Sequence, residues 1–158
     1  MSSLLKILLP TLAMTCGIAR AQPGAVQAEV LVVLASEQAG AVDPALSTIA
    51  ALRRPPFNSF QSLRLLSRPQ IALRAGQPTD LALPNGRTLQ IVLQQVMPDG
   101  RFRIRVAINR PNESDYLPLL QVVASAGDPF FVAGQGHEGG TLVIGIRVGP
   151  AASARPAR

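Results

Sequence analysis

The chain of 158 residues is long enough for one ordinary domain, and its formal net charge of +6 comes from an excess of arginine. Its only cysteine, Cys16, and its only lysine, Lys6, lie near the amino terminus. The rest of the chain therefore lacks a thiol nucleophile, cysteine-bound zinc and the amine of Schiff-base or P-loop chemistry. It has one tyrosine, five phenylalanines and no tryptophan, so stacking surfaces are few and we expect no nucleic-acid partner.

Residues 1–21 have the three parts of a cleavable export signal. Lys6 supplies the positive charge, residues 7–18 form an apolar run, and Ala19-Arg20-Ala21 places small residues where signal peptidase reads them. A membrane-spanning helix needs about 20 apolar residues, and this run is shorter. We therefore expect cleavage before Gln22, a protein exported to the periplasm or the extracellular space of a bacterium, and no transmembrane segment after processing.

Lipid attachment at Cys16 is an alternative fate for this segment. Met14 and Thr15 are bulky at positions where lipoprotein signals carry small residues, so we favour cleavage. Cleavage removes Lys6 and Arg20 and leaves 137 residues with thirteen arginines, no lysine and no cysteine. A cysteine-free exported domain of this size fits the bacterial envelope better than a disulfide-dependent secretory pathway.

The mature part is predicted to be one β-rich domain over residues 29–149, with a flexible leader at 22–28 and a disordered tail at 150–158. Residues 29–35 are continuously apolar after the first position, which is typical of a strand buried on both faces. Asp43 and Pro44 then suit the N-cap and the first position of a helix. Leu46, Ile49 and Leu52 would give this short helix one apolar face before Pro55 ends it.

Apolar and polar residues alternate from about residue 57 onward, which indicates strands. We predict them at residues 60–67, 70–73, 79–83, 88–96, 101–109, 116–124, 130–133 and 141–148. Turns at residues 84–86 and 98–100 make an antiparallel meander of the middle strands. Pro118 predicts an edge or bulged position for its strand. The predicted fold class is mostly β, a two-layer antiparallel β-sandwich-like domain with one short N-terminal helix.

The candidate binding residues are Arg101, Arg103 and Arg105, because the period of two places them on one face of a strand. Arg87, just before the neighbouring strand, would extend this row. A row of arginines can attract phosphates, acidic glycans or an acidic protein. The alternative is that a sheet with one solvent-exposed face needs polar residues on that face, and that arginine supplies them in this chain.

Other motifs predict no chemistry. Residues 134–139 match the dinucleotide pattern GxGxxG, but a strand pattern follows where that site needs a helix, so we predict a hairpin loop. His137 and Glu138 are too few for a catalytic zinc site, and we expect no metal and no cofactor. Ser125, Asp128 and His137 are the residue types of a hydrolase triad, without a nucleophile elbow around the serine.

Five stretches of the chain, at residues 33–36, 42–44, 56–60, 83–87 and 131–135, read VLAS, VDP, PFNSF, LPNGR and FVAGQ. Together they resemble a group of small exported bacterial proteins of unassigned function. The resemblance implies export and a shared β-rich fold, and it supplies no catalytic residue.

Three functions are compatible with these observations. The first is a non-catalytic envelope protein, an accessory or interaction module that binds another protein through a sheet face or edge. The second is a binder of an anionic envelope lipid or polysaccharide through the arginine-lined face. The third, a small hydrolase, would depend on His137 and its acidic neighbours. The sequence favours the first, a protein without catalytic activity.

Overall fold

Two antiparallel sheets make up the computed structural model, which describes residues 26–110 and 112–150. The predicted export signal with Cys16, and the tail beyond Pro150, lie outside these residues. The strands of the described part are β1 (Val26–Ser36), β2 (Ser62–Ser67), β3 (Gln70–Leu73), β4 (Pro78–Ala82), β5 (Thr88–Val96), β6 (Phe102–Asn109), β7 (Tyr116–Ala124), β8 (Phe130–His137) and β9 (Gly140–Pro150). The predicted class, a mostly β two-layer antiparallel fold, is confirmed.

The first sheet has the strand order β2-β1-β9-β8, and β3 pairs with the part of β1 that β2 does not reach. The second sheet has the order β4-β5-β6-β7 and contains the predicted meander. Its turns place Gly86 and Gly100 at φ 79° and 81°, a conformation that glycine adopts without steric cost. The two sheets therefore follow directly from the alternation and from these turns.

The main core lies between the sheets, because every second residue of the central strands points inward. Its fully buried members from β1, β5, β6 and β9 include Val30, Ile91, Ile104, Ile144 and Ile146. A second core lies on the outer face of the first sheet, where the segment between β1 and β2 packs. The prediction that β1 is buried on both faces is thus confirmed.

The helical segment is more broken than its apolar spacing predicts. It consists of a four-residue helix α1 (Pro44–Ser47) and two 3-10 turns, Ala50–Arg53 and Phe57–Ser59. Asp43 does cap α1, since its carboxylate accepts from the backbone N–H of Ala45 at 2.9 Å. After α1 the chain changes to 3-10 geometry, since the Ile49 N–H donates to the Leu46 carbonyl at 3.1 Å, three residues back. The Ser47 hydroxyl donates to the Pro44 carbonyl at 2.7 Å, and the Arg53 guanidinium donates to the Ser47 carbonyl.

The structure also corrects both ends of the predicted domain. The first strand starts at Val26, so residues 26–28 belong to the sheet and not to a leader. Val26 and Ala28 are buried in the main core and continue the alternation of Val30. At the other end, β9 runs to Pro150, one residue beyond the predicted limit. The prediction missed residues 26–28 because small residues such as Ala28 give little hydrophobic signal in the sequence. A small residue can nevertheless pack in the core of a β-sandwich, as Ala28 does here.

Candidate functional site

The outer face of the second sheet faces solvent, because the helical segment covers only the first sheet. Arg103 and Arg105 lie on this face in β6, the third strand of the sheet. Cα pairing places Arg105 between Val92 of β5 and Gln121 of β7, and Arg103 lies between Gln95 and Val123 in the same way. The predicted sharing of one face by these arginines therefore agrees with the register.

Arg101 differs from the other two arginines. It lies in the turn before β6, where its Nε donates to the Asp99 carboxylate at 2.7 Å. The backbone N–H of Arg101, and then its guanidinium, hold the pKa of Asp99 below its ordinary value. By contrast, no carboxylate of the described residues lies within 4 Å of the guanidinium nitrogens of Arg103 or Arg105. Two of the three predicted arginines therefore have no ionic partner among the described residues.

Arg87 does not extend the row. Its Nε and Nη2 donate to the Asn109 carbonyl at 3.1 and 2.7 Å, and its Nη1 donates to the Gln135 side chain. Gln135 belongs to β8, so this arginine ties the end of the second sheet to the first. Arg87 is two residues from the inward-facing Leu89, and the period of two gives both the same inward direction.

Tyr116 crosses the opposite end of the arginine-bearing face. Its hydroxyl donates to the Asp80 carboxylate at 3.2 Å, and the amide of Gln90 donates to the same carboxylate at 3.1 Å. This polar bridge joins β7 to β4 and β5 across the sheet. It was not predictable from the sequence, because 36 positions separate Tyr116 from Asp80. It leaves the half of the face around Arg103 and Arg105 open.

The contact between Tyr116 and Asp80 leads to a testable prediction about the ionisation of the Tyr116 phenol. Removal from water, and then the hydrogen bond to Asp80, raise the pKa of Tyr116 above its ordinary value of about 10. We expect the phenolate absorbance of the native chain to appear at higher pH than in the denatured chain. The stabilisation by the neutral phenol is complete below the unfolded pKa and is lost as pH rises through the folded pKa.

Asp80→Asn should move this absorbance titration back toward the denatured value, and the remote Glu37→Gln should leave it in place. The signal is clean because the chain has one tyrosine and no tryptophan. An identical midpoint in native and denatured chains would show that the Tyr116–Asp80 contact is absent in solution.

Strand β7 is an edge of the second sheet, and it carries no charged residue. Pro118 lies at this edge and beside a register shift that leaves Leu119 opposite no residue of β6, so both predicted features of its position are present. Beyond the shift, residues 120–124 pair with β6 alone among the described residues. Val123 is 39% exposed on this stretch. The result is an uncharged length of strand whose outer edge has no pairing strand among the described residues.

The other edges of the two sheets have features that oppose pairing, and β3, which pairs with β1 alone, is only four residues long. Residues 41–43 cover β2, since Asp43 N–H donates to the Leu63 carbonyl at 2.8 Å and Leu63 N–H donates to the Ala41 carbonyl at 3.2 Å. Strand β4 begins with a proline and carries Asp80, and β8 is interrupted where Gly134 adopts φ 121°. Charges, prolines, bulges and covering segments are the usual ways to block an edge. Residues 120–124 of β7 have none of them.

The glycine motif forms the end of β8 and the turn into β9. Glu138 and Gly139 adopt φ 46° and 75°, which suits a two-residue hairpin turn, so the predicted hairpin is confirmed. The strand continues four residues further than predicted, to His137. His137 Nε2 lies 3.8 Å from Glu138, whose carboxylate also pairs with Arg64 at 3.3 Å. Among the described residues, no group of three potential ligands gathers as a metal site would require.

The suggested triad is not assembled. Ser125 and Asp128 lie in the turn before β8, where Asp128 N–H donates to the Ser125 carbonyl at 3.3 Å. His137 lies at the far end of the same strand. At about 3.3 Å per residue, β8 alone separates its two ends by about 23 Å. These three residues therefore cannot form a charge-relay arrangement in this fold.

A second polar cluster, missed by the sequence analysis, lies on the uncovered part of the first sheet. The side chain of Glu29 is only 15% exposed and accepts from Arg68 and, at 3.4 Å, from Arg147. The hydrogen bond from Arg68 to Glu29 raises the pKa of the Arg68 guanidinium above its ordinary value. The cluster lines a groove of about 600 Å³ together with Gln27 and Gln70. It links β1, β9 and the connection between β2 and β3, which is a structural role.

Comparison with protein-family models, with curated proteins and with solved structures finds no match to this chain. Within residues 26–110 and 112–150, no helix has the length and apolar character of a membrane span. The fold is an antiparallel β-sandwich, and its candidate site is an open strand edge beside two arginines that have no carboxylate partner within residues 26–110 and 112–150.

Proposed function

We propose that the protein is a non-catalytic exported envelope protein, an accessory or interaction module that binds another protein at the open edge of β7. The observation that carries the proposal is the unprotected stretch at residues 120–124, which contrasts with the blocked edges elsewhere in the two sheets. A partner would add an extended segment to the second sheet. Such strand addition needs no reactive side chain, in keeping with the unassembled triad.

The edge is suited to strand addition because alternate residues of an antiparallel edge strand direct their N–H and C=O groups outward. Five residues, 120–124, therefore offer two or three residues whose backbone groups can pair with a partner. Main-chain hydrogen bonds supply affinity in this mode, and side-chain contacts supply specificity. Val123, an apolar residue that is 39% exposed, can make such a contact.

Photo-cross-linking in bacteria that express the full 158-residue chain tests this function. We expect benzoylphenylalanine at position 123 to capture one reproducible envelope protein, with the cross-link mapping to one extended segment of it. Benzoylphenylalanine at position 42 is the matched control, because Val42 is similarly exposed at 44% and lies beside β2. Equal capture at both positions, or recovery of free monomer alone, would contradict binding at β7. Sequencing of the recovered amino terminus, expected to start at Gln22, tests export independently.

A second function is supported by the absence of ionic partners for Arg103 and Arg105 within the described residues. The face that carries them would then bind an anionic envelope lipid or polysaccharide, since guanidinium groups pair well with phosphates and carboxylates. This function requires salt-sensitive retention of the chain on anionic vesicles or acidic polysaccharide. It further requires that Arg101→Gln, Arg103→Gln and Arg105→Gln together abolish the retention. Unchanged retention of the triple variant would dismiss it.

A further inference from the structure

We infer that the segment which pairs with β7 is acidic, with carboxylates on the side of the sheet that carries Arg103 and Arg105. This inference rests on the proposed function, because it assigns the chemistry of the partner at the same edge. It begins from the register of the second sheet, which places Gln121 and Val123 between the arginines and the open edge.

The spacing of strands brings the opposite charges together. A strand added to β7 would lie about 10 Å from β6, or two strand spacings. Arginine and glutamate are long enough to approach each other from both sides across one intervening strand. The intervening residues, Gln121 and Val123, carry no charge that would compete. A carboxylate on the added strand therefore meets a guanidinium without displacing an existing ion pair.

The charges already present on this face leave the arginines unneutralised. Asp80 is held by Tyr116 and Gln90 at the other end of the face. Asp99 is paired with Arg101 in the turn before β6. Within the described residues no carboxylate lies within 4 Å of the guanidinium nitrogens of Arg103 or Arg105. The strand next to the open edge therefore carries two positive charges without an ionic partner.

The same charges argue against a second copy of this chain as the occupant. Two β7 strands paired antiparallel about a two-fold axis keep the same face of both sheets on one side. The two copies of β6 would then lie about 14 Å apart, three strand spacings, with four arginines facing each other across the junction. Because the arginine side chains extend from both strands, their guanidinium groups can lie closer together than the strands, near the screening length of about 8 Å in physiological salt. Repulsion between these positive charges therefore opposes the pairing of two copies. An acidic segment gains attraction from the same geometry.

The test uses ¹⁵N-labelled chain purified from bacteria that express all 158 residues, and three capped nine-residue peptides. Each peptide alternates valine with one other residue, which is glutamate, glutamine or lysine. We expect the glutamate peptide to shift the backbone amides of residues 120–124 and to bind several-fold to about tenfold more tightly than the glutamine peptide at low salt. This advantage should shrink as salt is added. The lysine peptide should bind most weakly.

Two double variants distinguish the effect of the charge near β7 from the effect of the net charge of the chain. Arg103→Gln/Arg105→Gln should remove the preference for glutamate. Arg54→Gln/Arg64→Gln removes the same net charge from exposed positions remote from β7 and should preserve the preference. Loss of preference in both double variants would overturn the inference, because overall charge would then explain it.

The remaining outcomes distinguish the acidic chemistry from the edge itself. Equal affinity for the glutamate and glutamine peptides, with shifts at residues 120–124, would overturn the acidic partner and support pairing at the edge. Peptide binding that leaves those amides unshifted, or no binding of any peptide, would overturn both. Concentration-dependent dimerisation that broadens the same amides without peptide would assign the edge to a second copy and overturn the acidic partner.

Discussion

Replacing Leu46 with alanine is expected to lower the free energy of unfolding by about 2–5 kcal/mol, the usual cost of truncating a buried leucine. Leu46 is 1% exposed and packs in the second core, against the outer face of the first sheet. Helix α1 has four residues, far fewer than an isolated helix needs for stability in water. The helical segment is therefore held by this packing, and the cavity left by truncation weakens the whole arrangement.

Denaturant unfolding followed by circular dichroism measures the change, with Val42→Ala as the matched control. Val42 lies four positions earlier and is 44% exposed, so its truncation should cost less than about 0.5 kcal/mol. A Leu46→Ala variant as stable as the control would show that the helical segment does not unfold together with the sandwich.

Gly145→Ala is expected to destabilise the protein by about 1–3 kcal/mol, the range for overfilling a packed site. A Cβ at this position would lie 2.5 Å from Cε1 of Phe131 on the neighbouring strand. The Phe131 ring is also packed against Phe57, with ring centroids 5.7 Å apart. It therefore has to leave the face of β9 and lose part of this aromatic contact to admit even one methyl group.

A double-mutant cycle with Phe131→Ala identifies the cause. Once the ring is removed, Gly145→Ala should be neutral or stabilising by up to about 1 kcal/mol, because alanine suits a strand interior better than glycine. The two single changes should therefore be strongly non-additive, as expected for residues in contact. Additive costs in thermal or denaturant unfolding would show that the ring does not occupy the space above Gly145.

The two faces of the sandwich differ in how far they are covered, which is why we place the proposed binding site on the second sheet. The first sheet is covered outside by the helical segment, the ion cluster around Glu29 lies on its remaining part, and residues 41–43 pair with Leu63 at the β2 edge. Within residues 26–110 and 112–150 the second sheet has no such cover, and its last strand pairs with β6 alone at residues 120–124. Both sheets thus contribute to the shared core, whereas the second sheet alone keeps an edge and an outer face open among the described residues.

The sequence predicted the strands well, because a one-residue shift would move every apolar side chain to the wrong face. The bounds of β3, β5 and β7 agree with the prediction at both ends. Pro118 signalled its edge position, since proline cannot donate a ladder hydrogen bond. The continuous helix was wrong, because three-residue apolar spacing is shared by an α-helix and by the 3-10 turns found here.

The candidate site was only partly predictable. Local alternation was enough to place Arg103 and Arg105 on one face, but it could not show that Asp99 engages Arg101 or that Arg87 turns inward to Gln135. Those partners depend on hydrogen-bonding geometry that the alternation does not contain. The bridge from Tyr116 to Asp80 had no sequence signal for the same reason.

By itself the sequence determined the β class, the strand positions and the side each residue faces, because these depend on local periodicity and on turn residues. Only the tertiary structure decided which strands became edges, which edges were blocked and which charges found partners. Those properties depend on contacts between residues far apart in the chain, such as the covering of Leu63 in β2 by residues 41–43 and the pairing of residues 120–124 of β7 with β6 alone.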